Sequence, residues 1–252
     1  MSKKKIYTRQ EFEKSRKQWA EKMSQNKFLK EKSLEVFVEA DKHNWIHQTN
    51  WLGEPSLQTA EDLVTFQEII FQTKPEYIIE VGVAWAGSLL LYATLMEALG
   101  GNKIIGVDVF MPDDLKERIY SHGKISERIK LIEGSSLEVH TLNQIKDILG
   151  NSKKVMVHLD SHHTHDHVLK ELNLYSGFVD NGYYMVAGDT IIDYIPEQKH
   201  RPRPWGKGNN PKTALDEFLK SNNDFFIDPQ FDQKRLMSNQ PGGYLRCIRS
   251  NG

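Results

Sequence analysis

The sequence predicts an α/β protein built on a doubly wound, mostly parallel sheet. From residue 77 onward, short apolar runs typical of buried strands alternate with longer runs typical of helices. A glycine-containing turn at 80–88 follows the first of these strands and leads directly into a helical run. Asp108 ends the next strand, where an acidic side chain of a β–α–β unit faces the ribose hydroxyls of a nucleotide-like ligand. A Rossmann-like, cofactor-binding domain is therefore expected.

The remaining elements follow from the same alternation. A helix over 59–73 is predicted to begin at Thr59 as N-cap, with Asp62 in its first turn. The helix at 88–99 is closed by the glycine pair that begins at Gly100. Strands are predicted at 77–81, 103–108, 129–133, 154–160, 183–187, 224–228 and 244–249, helices at 137–149, 165–178 and 211–221, a mobile segment at 111–124 and a long loop at 190–210.

The part of the chain before this alternation is predicted to be an extension. Residues 9–40 carry apolar side chains at helical spacing and predict one or two amphipathic helices, and residues 44–55 are aromatic and loop-like. We expect residues 1–58 to form this helical and aromatic extension and residues 59–252 to form the cofactor-binding domain. The extension would serve in packing, in the contacts of a homo-oligomer, or as a lid over the substrate.

Composition excludes several classes of function. The net charge of −1 over 252 residues provides no electrostatic case for nucleic acid as the main partner. The longest apolar stretch, 77–99, contains Glu80, Glu97 and several glycines, so it predicts a strand, a turn and a helix, not a membrane span. No signal peptide is visible, and the single cysteine, Cys247, excludes an internal disulfide framework. A cytoplasmic protein is expected.

The glycine-containing turn predicts which cofactor is bound. It has the form G-x-A-x-x-G, and the bulky Trp85 after its alanine argues against a pyrophosphate lying on the loop. The longer pattern E-x-G-x-x-x-x-G-S, formed by Glu80, Gly82, Gly87 and Ser88, resembles the first motif of S-adenosylmethionine-dependent methyltransferases. That cofactor carries an adenosine and a methionine tail but no phosphate. A tight strand–helix turn without a ligand is the alternative.

Two aspartates end neighbouring strands of the predicted sheet. Asp160 follows the fourth strand and Asp189 the fifth, so both are expected in the crevice beyond the carboxyl ends of the strands. Two carboxylates at one place repel each other unless one is protonated or a cation lies between them. Mg²⁺ prefers such oxygen ligands and retains several waters. Helix N-capping by each aspartate is the alternative.

Histidines cluster directly after Asp160, with four among residues 162–167. Such a tract can bind a metal, but most of its members are expected to be solvated residues at a helix start. One histidine near Asp160 is well placed to accept a proton from a substrate hydroxyl, because its ordinary pKa lies near neutrality. His158 and Asp160 also have the spacing of a non-haem iron site. In an α/β pattern His158 is instead expected to lie on a strand face.

Matches in order along residues 45–249 resemble the cephalosporin hydroxylase family. They comprise Trp51-Leu52-Gly53 with Pro55, Asp62, the run 67–70, Pro75 with Ile78, Ile79, Glu80 and Gly82, Asp160-Ser161 with His163, His167 and Val168, the strand end 189–191 and the run 241–245. Members of this family are similar to class I S-adenosylmethionine methyltransferases and to macrocin-type O-methyltransferases that use a divalent metal. The resemblance implies a seven-stranded sheet of order 3-2-1-4-5-7-6 with strand 7 antiparallel.

The resemblance also implies roles for individual residues. It assigns metal binding to Asp160 and Asp189, and the role of general base to His163. The family usually has Glu-Asp at the end of strand 5, whereas this chain has Gly188 before Asp189. One metal carboxylate is therefore missing, so weak Mg²⁺ binding is expected. Gly188→Glu is expected to tighten it, unless the backbone at Gly188 needs a conformation that only glycine allows.

The function predicted by the sequence is S-adenosylmethionine-dependent O-methylation of a small polar acceptor, a sugar or sugar-bearing metabolite. His163 and Asp160 are the predicted catalytic residues, and Asp160 and Asp189 the predicted Mg²⁺ ligands. The predicted cofactor contacts are Glu80, Gly82, Gly87, Ser88, Asp108, Gly134 and Ser135.

Three other functions remain open at this point: an NAD-dependent oxidoreductase, an iron oxygenase, and a catalytically inactive cofactor-binding protein. The loop 190–210 also remains open between two interpretations. With Arg201, Arg203 and Trp205 it would close over the acceptor or bind a nucleotide or phosphate group, or else it is a mobile surface loop.

Overall fold

The computed structural model describes residues 7–249, so the first six residues of the predicted extension and the last three of the predicted domain lie outside it. The described chain begins with two helices, α1 (Arg9–Ser24) and α2 (Lys27–Asp41). A 3₁₀ turn, Trp45–Gln48, and a hairpin of β1 (Asn50–Trp51) and β2 (Glu54–Pro55) follow. The helices predicted in 9–40 are thus present, and the boundary predicted after residue 58 stays a prediction.

A seven-stranded sheet forms the centre of the molecule. Its order is β5-β4-β3-β6-β7-β9-β8, and β9 runs antiparallel to both of its neighbours. This is the order and the antiparallel strand that the sequence resemblance implied, and the doubly wound fold is confirmed. The elements are α3 (Ala60–Thr73), β3 (Tyr77–Val81), α4 (Gly87–Leu99), β4 (Lys103–Asp108), α5 (Asp113–Tyr120), β5 (Ile129–Glu133), α6 (Val139–Leu149), β6 (Val155–Leu159), α7 (His165–Tyr175), β7 (Tyr184–Ala187), α8 (Pro211–Ser221), β8 (Phe225–Ile227), α9 (Pro229–Asp232) and β9 (Tyr244–Cys247).

The segment 111–124 corrects one expectation from sequence. It was expected to be mobile, but it forms α5 and the start of a 3₁₀ turn, Gly123–Arg128. Leu115 and Ile119, four residues apart, lie on one face of α5 and are buried. Charged residues occupy most of the other positions of this short helix. The composition of the segment therefore did not indicate an apolar face.

The strands separate two apolar layers because successive side chains point to opposite faces of the sheet. In β3, Ile79 and Val81 pack into the layer of α6, α7 and α8, whereas Ile78 and Glu80 point into the layer of α3 and α4. His158 of β6 lies in register with Glu80, and its ring lies 4.7 Å from that of Phe66. His158 is therefore a buried strand-face histidine, as expected.

Asp62 ties α3 to the segment that precedes β9. Its buried carboxylate accepts hydrogen bonds from Arg235 Nη1 at 2.7 Å, Ser238 Oγ at 2.6 Å, the Asn239 amide at 2.7 Å and the Tyr244 hydroxyl at 2.9 Å. Its own helix begins as predicted, with Thr59 Oγ1 accepting from the Asp62 amide at 3.1 Å. One side chain thus holds together segments more than 170 residues apart.

Within residues 7–249, none of the helices combines the length and apolar character that a membrane crossing requires.

Replacement of Asp62 tests this anchor. Asp62→Ala leaves the Arg235 guanidinium, whose side chain is 4% exposed, without its buried partner. Breaking a buried ion pair from one side costs roughly 3–5 kcal/mol of unfolding free energy. Urea denaturation should show that loss, whereas Asp147→Ala, at an exposed position of α6, should change stability by less than about 0.5 kcal/mol. Equal stability of the two variants would contradict the anchoring role.

Candidate active site

Asp160, His163 and Asp189 meet beyond the carboxyl ends of β6 and β7. Asp160 directly follows β6, His163 lies in the loop before α7, and Asp189 is the second residue after β7. One ligand atom from each lies within 4.8 Å of the other two, and His163 Nε2 is 3.4 Å from Asp189 Oδ2. Two carboxylates and an imidazole at these distances could hold a divalent ion.

The electrostatics of this group favour a cation. Desolvation and then the negative charges of Asp189 and Glu80 raise the pKa of Asp160 well above its ordinary value. Burial lowers the pKa of His163, and the negative charge of Asp189 opposes that effect. The site therefore holds more negative charge than its surroundings compensate, and a bound cation would relieve the repulsion.

Gln58 fixes the orientation of the Asp160 carboxylate. Gln58 Nε2 donates to Asp160 Oδ2 at 2.7 Å, and Gln240 Nε2 donates to Gln58 Oε1 at 2.6 Å. Both glutamines are buried, at 1% and 0% exposure. The sequence analysis missed both residues. Only the nearby matches at Pro55, Asp62 and 241–245 pointed to this region.

Gly188 has no room for a side chain. A Cβ atom there would lie 2.2 Å from Asp160 Oδ1 and 2.9 Å from the Leu159 carbonyl oxygen. The Asp160 carboxylate occupies the space that a side chain at position 188 needs, so we expect Gly188→Glu to weaken Mg²⁺ binding and not to tighten it.

The turn after β3 is held in an unusual conformation. Gly82 has φ +94°, and a Cβ atom on it would lie 2.3 Å from the Asp160 carbonyl oxygen. Asp108 Oδ2 accepts from the amides of Val83 at 2.9 Å and Ala84 at 3.3 Å. Asp108 thus secures this turn in addition to facing the crevice. Gly87 serves packing, since a Cβ atom there would lie 2.5 Å from the Pro55 carbonyl oxygen in β2.

Two cavities meet at Asp160. The β4-side cavity, about 330 Å³, is lined by Gly82, Asp108, Gly134, Asp160, His162 and His167 among others. The β7-side cavity, about 250 Å³, is lined by His47, Asp160, His163, Asp189, Arg203 and Trp205 among others. Gly82, Ala84, Asp160 and Ser161 line both cavities, so ligands in the two would approach each other at Asp160.

The predicted cofactor contacts are distributed unevenly around these cavities. Gly82, Asp108 and Gly134 line the β4-side cavity, and Gly82 and Ser88 line the β7-side cavity. Gly87 and Ser135 are not among the lining residues of either. Ser135 Oγ instead accepts from the Leu137 amide at 3.3 Å.

Glu80 lies outside both cavities. Its carboxylate is buried, with Oε1 3.4 Å from His158 Nδ1. Strand alternation turns the Glu80 side chain into the layer of α3 and α4, and its role as a cofactor contact stays a prediction.

The histidines after Asp160 have different partners and do not gather at one point. His165 Nδ1 lies 2.9 Å from Thr213 Oγ1, and His167 Nε2 lies 3.0 Å from Glu171 Oε1. The buried Glu171, which the sequence analysis missed, also accepts from Ser136 Oγ and Ser161 Oγ, each at 2.6 Å. It thereby joins two loops that line the β4-side cavity.

The loop 190–210 is attached to the N-terminal extension over the β7-side cavity. The buried Asp41 of α2 accepts from Arg201 Nη2 at 2.5 Å and from Gln198 Nε2 at 2.6 Å. Farther along the loop, the ring of Trp205 meets that of His163 edge to face, with centroids 4.9 Å apart. The loop and the extension together close the cavity next to His163.

Comparison with known proteins identifies the family. The model of the rhamnosyl O-methyltransferase/CmcI family matches residues 43–248. The chain belongs to this family. The resemblance drawn from the sequence is therefore confirmed, and so is the enzyme class that it implied.

Members of the rhamnosyl O-methyltransferase/CmcI family are similar to this chain along most of their length. The rhamnosyl O-methyltransferases of Mycobacterium tuberculosis and Mycobacterium bovis are 26% identical to it over 220 residues, covering 82% of this chain and 84% of theirs. A ligand-free CmcI structure has a TM-score of 0.58 at 18% identity, covering 81% of this chain and 78% of that one. A CmcI structure described as containing Mg and SAM has a TM-score of 0.56 at 17% identity, with the same coverage. These structures show the same fold.

Substitution of Gly188 tests the packing around Asp160. Gly188→Glu should displace the Asp160 carboxylate and weaken Mn²⁺ binding, measured by electron paramagnetic resonance, by roughly tenfold or more. Gly177→Glu adds the same side chain at an exposed glycine with open space around it, and it should leave the affinity unchanged. Tighter Mn²⁺ binding by Gly188→Glu would restore the original expectation from sequence.

Proposed function

We propose that the protein transfers the methyl group of S-adenosylmethionine to a hydroxyl of a small polar acceptor, a sugar or sugar-bearing metabolite. The family supports this activity, since its relatives include rhamnosyl O-methyltransferases. The observation that carries the proposal is the meeting of two cavities at Asp160, beside His163. A donor in one cavity and an acceptor in the other would react where the cavities join.

The β4-side cavity would hold S-adenosylmethionine. Asp108 lines it at the end of β4, where a carboxylate can accept hydrogen bonds from both ribose hydroxyls. Gly82 and Gly134 allow the backbone to approach the ligand closely. The sulfonium methyl group would then point toward the junction at Asp160. Methyl transfer is an in-line displacement, so this alignment contributes much of the rate.

The β7-side cavity would hold the acceptor, with His163 as general base. The lowered pKa of His163 keeps its imidazole neutral near pH 7, so the ring can accept the hydroxyl proton. Asp189 Oδ2, 3.4 Å from Nε2, stabilises the imidazolium that forms.

The acceptor oxygen bonds to the methyl carbon while the carbon–sulfur bond breaks, leaving S-adenosylhomocysteine. Asp160 and Asp189 would hold a divalent ion such as Mg²⁺, which supplies positive charge beside the acceptor hydroxyls.

The other candidate functions have less support. An NAD-dependent oxidoreductase would place a pyrophosphate on a turn that contains Trp85 and lacks the middle glycine. An iron site at His158 and Asp160 is disfavoured because His158 is 0% exposed and packs against Phe66. A catalytically inactive protein would bind cofactor without methyl transfer. A homo-oligomer, a cytoplasmic location and the lack of a nucleic-acid partner stay predictions.

Asp108 tests the placement of the cofactor. Asp108→Ala removes the acceptor for the ribose hydroxyls and loosens the Val83–Ala84 turn. Calorimetric titration should show S-adenosylhomocysteine binding weakened by about tenfold or more, since charge-assisted hydrogen bonds contribute about 1.5–3 kcal/mol. The exposed Asp147→Ala serves as the control and should bind normally. Unchanged affinity of Asp108→Ala would show that the cofactor lies elsewhere.

His163 tests the catalytic assignment. His163→Ala should lower turnover by roughly 10²-fold or more while S-adenosylhomocysteine affinity stays nearly constant, because the ring acts on the acceptor proton. The measurement is transfer of a radiolabelled methyl group to a panel of sugars. His165→Ala is the matched control, since its ring contacts Thr213 instead of the cavity. A larger loss in His165→Ala or His162→Ala would mean that the base has been assigned to the wrong histidine.

A further inference from the structure

The β7-side cavity has a cationic end that O-methylation of a neutral sugar does not require. We infer that the acceptor carries an oxyanion, a phosphate or a carboxylate, and that Arg203 binds it opposite Asp160 and Asp189. This inference rests on the proposed function, because it concerns the acceptor of that same site.

The Arg203 side chain is exposed and has no oppositely charged partner among residues 7–249. Between residues 7 and 249 it makes no ion pair or hydrogen bond, and its one close polar or aromatic contact is the ring of Trp205, 5.5 Å from the guanidinium carbon. That ring also contacts His163 and lines the same cavity. The ring of Trp205 therefore lies between the Arg203 guanidinium and His163, the proposed general base.

Two prolines restrict the backbone around Arg203. Pro202 and Pro204 flank it, and each fixes its own φ angle and restricts the residue before it. Arg201 is anchored at Asp41, its Nη1 lies 3.3 Å from His47 Nε2, and its Nε is buried without a hydrogen-bond partner. Arg203 thus presents a guanidinium at the cavity from a backbone segment that two prolines restrict, which reduces the entropy lost on binding.

The arrangement of charge points to an anion and not to a neutral hydroxyl. A planar guanidinium binds phosphate or carboxylate through paired, charge-assisted hydrogen bonds. Arg203 lies beyond ion-pair distance of Asp160 and Asp189, so these carboxylates do not already use its charge. His47 adds a polar group to the wall but not a second charge, because burial and the charges of Arg201 and Arg203 lower its pKa. Arg203 is exposed, so a neutral sugar in the cavity would leave its charge facing water and would offer it no opposite charge.

The experiment compares three probes that share one sugar. α-D-glucose 1-phosphate, D-glucuronate and methyl α-D-glucoside are titrated calorimetrically into the full chain loaded with S-adenosylhomocysteine. EDTA is present, so a bound metal cannot account for anion binding. At least one anionic probe should bind about tenfold more tightly than the glucoside, and the stronger of the two identifies phosphate or carboxylate.

Two variants of equal charge separate the site from general electrostatics. Arg203→Gln should remove most of the preference for the anion. Arg246→Gln should keep this preference. Arg246 is exposed on β9 and pairs with Tyr184, the first residue of β7, so it lies at the end of the sheet away from the site. Equal binding of all probes, no binding of either anion, or a preference that survives Arg203→Gln would overturn the inference. The proposed function fails separately, if the unaltered protein does not bind S-adenosylhomocysteine.

Discussion

The candidate active site depends on the confinement of Asp160. The backbone of this residue passes so close to Gly82 that a Cβ atom there would lie 2.3 Å from its carbonyl oxygen. Its carboxylate is equally close to Gly188 on one side and accepts the Gln58 hydrogen bond on the other. The hydrogen bond from Gln58 and the contact with Gly188 restrict the orientation of this carboxylate between the two cavities that it lines.

A chain of hydrogen bonds connects the Asp160 carboxylate to the segment that precedes β9. Ser238 Oγ donates to the anchored carboxylate of Asp62, and the Gln240 amide donates to Ser238 Oγ. The Gln240 side chain then holds Gln58, which holds Asp160. The segment before β9 therefore supports the site through these bonds, and its Asn239 also lines the β7-side cavity.

Opposite charges at the two ends of one cavity also constrain how an acceptor can bind. Asp160 and Asp189 supply negative charge to the cavity lining and Arg203 supplies positive charge, whereas Arg201 is paired with Asp41 of α2. An acceptor with hydroxyls at one end and an anionic group at the other would satisfy both. Such a ligand would be favoured in the orientation that pairs its anionic group with Arg203 and places its hydroxyls near Asp160 and Asp189.

The sequence by itself determined the fold and the centre of the site. The bounds of β3, β4, β5 and α8 agree with the predicted ones, because buried strands and well-capped helices have strong local patterns. Asp160 and Asp189 were found because the ends of parallel strands converge, and His163 was identified by the resemblance to a known family. Tertiary structure alone decided the roles of Gln58 and Gln240, since the bonds of Gln58 reach residues 102 and 182 positions away. It also decided the burial of Glu80 and the lack of space at Gly188, because strand alternation predicts two faces but not which elements pack against each.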